Sequence, residues 1–182
     1  SKITNLSLVF YGCLKLVNII GLNTWDTSNV TKLGEPEWQA AGIFQLCESI
    51  ESLDLTSWDL TNVVSFESAF NSCKKLQTLK INFTGVTPTN FCKAFSNCSE
   101  LSTLEGIEAI DMSNVTTLQY AFINCKLLAS LNVSEWNTSN VTNMQGVFDG
   151  CSSLTSLNLS NWNISKVTNM ESMFRSCINL TS

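Results

Sequence analysis

Phe-x-x-Cys recurs seven times in the chain, at Phe10/Cys13, Phe44/Cys47, Phe70/Cys73, Phe95/Cys98, Phe122/Cys125, Phe148/Cys151 and Phe174/Cys177. Successive Phe residues stand 34, 26, 25, 27, 26 and 26 positions apart. A fixed period of this size means that no unit can bury its apolar face alone, so each must stack on its neighbours. The chain is therefore read row by row, with each residue placed by its distance from the Phe of its repeat.

Four before that Phe stand Leu6, Phe66, Phe91, Leu118, Met144 and Met170. One before it stand Val9, Ile43, Ala69, Ala94, Ala121, Val147 and Met173, and three after it comes Cys. Apolar places at −4, −1, 0 and +3 match the i, i+3, i+4, i+7 face of a helix, so the spacing predicts a short inward-facing helix around each Phe. Further on the period changes to two, as in Leu79-x-Ile81, Leu131-x-Val133 and Leu157-x-Leu159. That alternation predicts a short strand with outward Ser130/Asn132/Ser134 and Ser156/Asn158/Ser160, the strands pairing in parallel along one side. A Trp corner follows (Trp25, Trp58, Trp136, Trp162, with Phe83 and Ile110 in its place), then a turn such as Asn137-Thr138-Ser139-Asn140. The expected fold is α/β: a right-handed solenoid of 26-residue coils, each a short parallel strand plus a short helix. Phe122, Phe148, Leu131, Leu157, Val141 and Val167 are expected in buried rows.

Departures from the repeat are few. An extra Gly stands in the first and fourth repeats, Gly21 and Gly106, and is read as a bulge at the strand. The third repeat is one residue short and carries Pro88 in the row that elsewhere holds Val. Seven residues are added near Gly34–Ala40, where Glu35, Glu37 and Trp38 would be offered on a surface loop; insertions of this kind sit on the binding side or merely bulge. Ser1–Leu6 matches Ser165–Met170, so the chain opens within a repeat, and residues 1–182 read as one unit of a longer array.

Candidate chemistry is sparse. The chain holds no His, which removes Ser-His and Cys-His pairs and His-bearing metal sites; no Gly-rich phosphate loop and no Cys-x-x-Cys occur, so no catalytic residue, cofactor or metal is expected. Fifteen acidic and ten basic residues give a net charge of −5 without a Lys/Arg cluster, so no nucleic-acid partner is expected. No apolar run approaches the roughly 18 residues of a membrane span. Of eight Cys, seven share one inward row, where they act as small apolar groups with a weak donor or bridge neighbouring coils as disulfides. Cys92 lies three before Phe95, in a row with Glu67, Gln119, Gln145 and Glu171, and is expected to be an exposed thiol. Sequons at Asn29, Asn114, Asn140 and Asn179 follow from the repeat's own spelling. The row Asp26, Asp59, Asp111, Asn137, Asn163 is read as turn capping, since one carboxylate per coil is too few for calcium. A Thr row (Thr4, Thr31, Thr89, Thr116, Thr142, Thr168) would suit an ice-binding face but is interrupted at Trp38 and Val64.

The unit L-x-x-L-N-L-S-x-W-N-T-S-N-V-T-N-M-x-x-M-F-x-x-C-S-S, best copied over Leu128–Cys151 and Leu154–Cys177, resembles the BspA-like leucine-rich repeats, in particular the DUF285 type recurrent in mycoplasma lipoproteins. The resemblance implies a leucine-rich-repeat solenoid on a bacterial or protist surface, often taken to be an adhesin. The expected function is a non-enzymatic extracellular or cell-surface interaction module. It would bind a protein or glycan through the insertion (Glu35, Glu37, Trp38) or the polar face (Ser130, Asn132, Ser156, Asn158). A structural spacer, contacting neighbouring subunits of a larger assembly, is the alternative.

Overall fold

The computed structural model describes residues 2–35 and 41–182. Successive repeats lie side by side in parallel, joined by one continuous row of bridges through Asn5, Lys32, Ser65, Asn90, Thr117, Asn143 and Asn169. The repeat Phe rings form a single column, stacked at centroid spacings from 5.2 Å (Phe95–Phe122) to 5.8 Å (Phe148–Phe174). Trp25 stacks on Trp58 and Trp136 on Trp162, both pairs at 6.0 Å. Phe122, Phe148, Leu131 and Val141 are buried as expected, while Leu157 and Val167 are half-buried against the same core.

The expected α/β solenoid is not what forms. Among the described residues there is no α-helix; the helical segments are three 3-10 turns, Leu22–Thr24, Ile107–Ala109 and Met112–Asn114. Nor do strands run as one sheet along the chain. They form two small separate sheets, an antiparallel pair of β1 (Gly34–Glu35) and β2 (Ala41–Gly42), and a parallel trio of β3 (Ser52–Leu55), β4 (Thr78–Ile81) and β5 (Thr103–Glu105). In β3 and β4 the buried side chains alternate as the period of two requires, with Leu53 opposite Leu79 and Leu55 opposite Ile81.

The helix fails for a local reason. In most repeats the residues two before and two after Phe have positive φ: Leu8 and Gly12, Ser68 and Ser72, Lys93 and Asn97, Tyr120 and Asn124, Gly146 and Gly150, Ser172 and Ser176. Left-handed residues four apart break the chain into successive turns, closed by i→i+3 bonds such as Ala121 N→Leu118 O, Cys125 N→Phe122 O and Leu128 N→Cys125 O. The amides at −4, −2, 0 and +2 turn away and donate to the next repeat. For the fifth repeat these are Leu118→Asn143 O, Tyr120→Gln145 O, Phe122→Val147 O and Asn124→Asp149 O. Each left-handed non-glycine costs about 1–2 kcal/mol, which an added inter-repeat bond of about 1 kcal/mol partly offsets. In the repeats of Phe70, Phe95, Phe122 and Phe148 residues −4, −1, 0 and +3 are buried, so the inward face has the spacing of a helix without being one.

The insertion has a defined root. Leu33 occupies the −4 place of the second repeat, since its N–H donates to Ser65 O as Phe66 N does to Asn90 O. Ile43 N closes on Leu33 O, the bond that Val9 makes to Leu6 in the first repeat. The chain therefore leaves and returns between two unchanged positions through the antiparallel pair of β1 and β2. Glu37 and Trp38 lie outside the described residues.

Gly21 (φ 85°) and Gly106 (φ 94°) are not strand bulges; each is the left-handed residue that starts a 3-10 turn. At Gly106 a β-carbon would also lie 1.9 Å from Ile81 O. These two repeats end the sheet. At the strand's entry, Gln77 N bonds Glu51 O, Ser102 N bonds Gln77 O, Thr155 N bonds Ala129 O and Thr181 N bonds Thr155 O. Among the described residues the equivalent rungs from Glu51 N to the first repeat and from Ala129 N to the fourth do not form. Both gaps follow a repeat with an extra Gly.

Candidate interaction surface

The thiols have a structural use that spacing alone did not expose. Six of the eight Cys Sγ lie within bonding distance of the carbonyl of the preceding repeat's Phe: Cys47 to Phe10 O, Cys73 to Phe44 O, Cys98 to Phe70 O, Cys125 to Phe95 O, Cys151 to Phe122 O and Cys177 to Phe148 O, all at 3.0–3.2 Å. That carbonyl also accepts its own repeat's Cys N–H, so both lone pairs are filled. All eight Cys are free. Burial pushes the thiols of Cys47 and Cys151 up to about 12, so they stay protonated donors.

Cys92 is a correction. It is buried at 9% exposure, and burial, then Glu67 nearby, pushes its thiol up to about 11. The expected exposure assumed helical rotation about Phe95. In the turn conformation the −3 side chains instead lie against their counterparts in adjoining repeats, as Gln119 Nε2 does on Gln145 Oε1 (2.7 Å) and Gln145 on Glu171 (3.1 Å). Cys92 Sγ faces Gln119 Oε1 at 4.0 Å. The exposed thiol is Cys13.

Polar rows that looked like ligands mostly hold the repeats together. Asp59, Asp111, Asn137 and Asn163 each accept the backbone N–H two residues on, at 2.8–3.1 Å, which caps the turn after the Trp corner as expected. Thr61 Oγ1 also donates to Asp59, and this bond holds the Asp59 carboxyl below the usual carboxylate range. Thr hydroxyls at 31, 116, 142 and 168 donate to the carbonyl of the Thr one repeat earlier. The sequon amides Asn140 and Asn179 donate to Ser113 O and Ser152 O, each at 2.7 Å. A Thr or Asn row in the sequence was the available signal; its side-chain bonds to the neighbouring repeat were not legible from spacing.

Of the expected surface residues, Ser130, Asn132, Ser156 and Asn158 are exposed in equivalent places of successive repeats. They do not lie on a sheet, because residues 129–133 and 155–159 form no strand. Asn132 and Asn158 instead cap turns by accepting from Ser134 and Ser160. Glu35 is brought close to Asn5 Nδ2 (2.6 Å) and Lys32 Nζ (3.1 Å), which ties the root of the hairpin to the bridge row. Among the described residues its hydrogen-bond partners are Asn5 and Lys32, not the Ser130–Asn158 rows.

Two clefts open on the strand side. One, of about 500 Å³, runs between the first repeat and β3 and is lined by Asn18, Leu22, Asn23, Ser52, Asp54 and Ser57. The other, of about 620 Å³, lies by Gly106, between Ile81, Asn82, Leu104 and Glu108. Sequence reading marked Gly21 and Gly106 but not the clefts beside them. Among the described residues no three Cys, Asp or Glu side chains gather to hold a metal, and no helix is long and apolar enough to cross a membrane.

No curated protein and no solved structure matches the chain significantly. A family pattern does match, over residues 1–87 and 89–182, leaving out only Pro88, the residue that already breaks the Val row of the short third repeat. The chain belongs to the family described as Mycoplasma protein of unknown function, DUF285.

Proposed function

We propose that the chain is a non-enzymatic interaction module of the cell surface or extracellular space, binding a protein or glycan across its repeat surface. The observation that carries this reading is the recurrence of Ser130/Asn132 and Ser156/Asn158, exposed at equivalent places in adjacent repeats. Repeated small hydroxyl and amide groups suit a polar ligand with its own repeat, and stacked repeats present extended surfaces of this kind. Kinship with BspA-like surface repeats is part of the same proposal and rests on the copies at Leu128–Cys151 and Leu154–Cys177.

The test is to probe arrays of defined glycans and immobilised glycoproteins with the full chain and with a Ser130→Arg/Ser156→Arg variant. Saturable binding by the parent chain, lost in the variant while its thermal unfolding stays unchanged, is the expected result. Binding that the variant keeps would move the site elsewhere. No binding at all would favour the structural spacer, a reading supported by the six thiol–carbonyl contacts and the unbroken bridge row that tie the repeats together.

A further inference from the structure

Three outward places distinguish the first repeat. The residues four, seven and ten after the repeat Phe are Leu14, Val17 and Ile20, with 51%, 60% and 94% of their surface exposed. The same places hold Glu48, Glu51 and Asp54 in the second repeat, Lys74, Gln77 and Lys80 in the third, and Ser99, Ser102 and Glu105 in the fourth. These rows face outward in those repeats too, so the apolar strip is not explained by a core position. Its neighbour across the repeat boundary is acidic. Ser49 Oγ donates to Leu14 O at 2.7 Å, which joins the two rows, and Asn18 and Asp54 line one cleft.

The acidic row is only partly neutralised within the chain. Glu48 pairs with Lys74 at 2.7 Å; Lys80, which stands in register with Asp54 on the adjoining strand, makes its ion pair with Glu105 at 3.1 Å. Glu51 and Asp54 form no ion pair among the described residues. Asp54 is held as a carboxylate in a fixed orientation by the Thr56 amide (3.0 Å) and hydroxyl (2.6 Å). Covering an apolar strip that water now wets is favourable in proportion to the area removed from solvent. Two carboxylates in the same rows of the next repeat repel an anionic lipid surface and attract Lys or Arg.

We infer that Leu14, Val17 and Ile20, together with Glu51 and Asp54 in the same rows of the next repeat, dock a cationic amphipathic peptide segment of a partner protein. Apolar side chains of the segment cover the strip, and its Lys or Arg residues reach the two carboxylates. Lys15, exposed within the strip's own repeat, opposes that charge and sets a limit on affinity. This names a partner class at a site apart from the Ser130–Asn158 rows, so either test can fail without the other.

The probe is a fluorescent peptide of alternating Leu and Lys, about a dozen residues long, titrated with the full chain and followed by anisotropy. Saturable binding is expected, and at least about tenfold weaker binding when Leu is replaced by Ser or Lys by Glu in the peptide. Val17→Ser/Ile20→Ser and Glu51→Gln/Asp54→Asn should each weaken binding by a similar factor; Lys15→Glu should strengthen it. The Asn at position 54 can still accept from Thr56, so the fold is kept, and unchanged thermal unfolding checks this. Equal affinity for parent and variants overturns the inference. So does burial of the strip by a second copy, seen as a dimer that Ile20→Ser dissolves, or equal binding to phosphatidylserine vesicles.

Discussion

Phe122 and Leu131 stand in the same repeat and are both buried, yet the backbone around them is held in different ways. Around Phe122, amides at −4, −2, 0 and +2 bond the next repeat, and those between them close turns within their own. The same scheme recurs in most repeats and survives even the inserted hairpin, which leaves Leu33 and Ile43 in place. Around Leu131 there is no strand, and the parallel strand pairing among the described residues spans β3, β4 and β5. The difference shows in how each side takes added residues. Between Leu33 and Ile43 the chain leaves and returns through the antiparallel pair of β1 and β2, and the −4 to −1 turn still closes. On the strand side the next rung is missing after each of the two repeats that carry an extra Gly, 21 or 106.

The largest expected effect is on the turn side. Phe148 is fully buried, with rings stacked 5.7 and 5.8 Å away on either side, so Phe148→Ala should cost roughly 3–5 kcal/mol in urea unfolding. Leu157→Ala, half-buried on the strand side, should cost less than about 2 kcal/mol, below the range for a fully buried Leu. Comparable costs would erase the contrast.

Next come the two glycines. Gly106→Ala puts a β-carbon against Ile81 O in a left-handed backbone and should lower stability by roughly 2 kcal/mol or more. Gly21→Ala meets nothing nearer than Thr24 Oγ1 at 3.9 Å, so only the conformational cost of about 1 kcal/mol remains. Thermal melts of the pair test whether Gly106 is held by close approach as well as by φ.

Smaller, but specific to the thiol row, is Cys151→Ala. It leaves Phe122 O with one donor fewer and should cost about 1 kcal/mol near neutral pH. The pH dependence carries the sign. An ordinary Cys loses its proton near 9.0, whereas Cys151 in the folded chain does so at about 12. Between those values the unfolded chain binds fewer protons than the folded one, so stability falls as pH rises from about 9 toward about 12. With one such thiol removed, the variant should fall less steeply over that range. A parallel loss in both proteins would mean that Cys151 is not buried as a thiol.

The inward face was legible because burial at −4, −1, 0 and +3 repeats in register, and the Trp, Cys and Asx rows were legible for the same reason. The conformation behind that face was not, since a helix and a run of i→i+3 turns share the spacing. Gly12, Ser68, Ser72, Asn97, Asn124, Gly146 and Gly150 did carry a signal, being turn-forming types at −2 and +2. Leu8, Lys93 and Tyr120 masked it, because bulky residues are not expected at positive φ. Cys92 was misplaced by the same error, its direction having been taken from helical geometry. For the surface, exposure of Ser130 and Ser156 followed from alternation, but the apolar strip at Leu14, Val17 and Ile20 becomes visible only when each row is compared across repeats.

Native-state hydrogen exchange on single amides tests most directly whether turns, and not helices or a continuous sheet, join these repeats. Slow exchange is expected at Tyr120, Phe122 and Asn124, which bond the next repeat, and in β4, with fast exchange at Ser130, Asn132 and Ser134. Protection that runs through residues 129–133 as strongly as through 120–124 would contradict it.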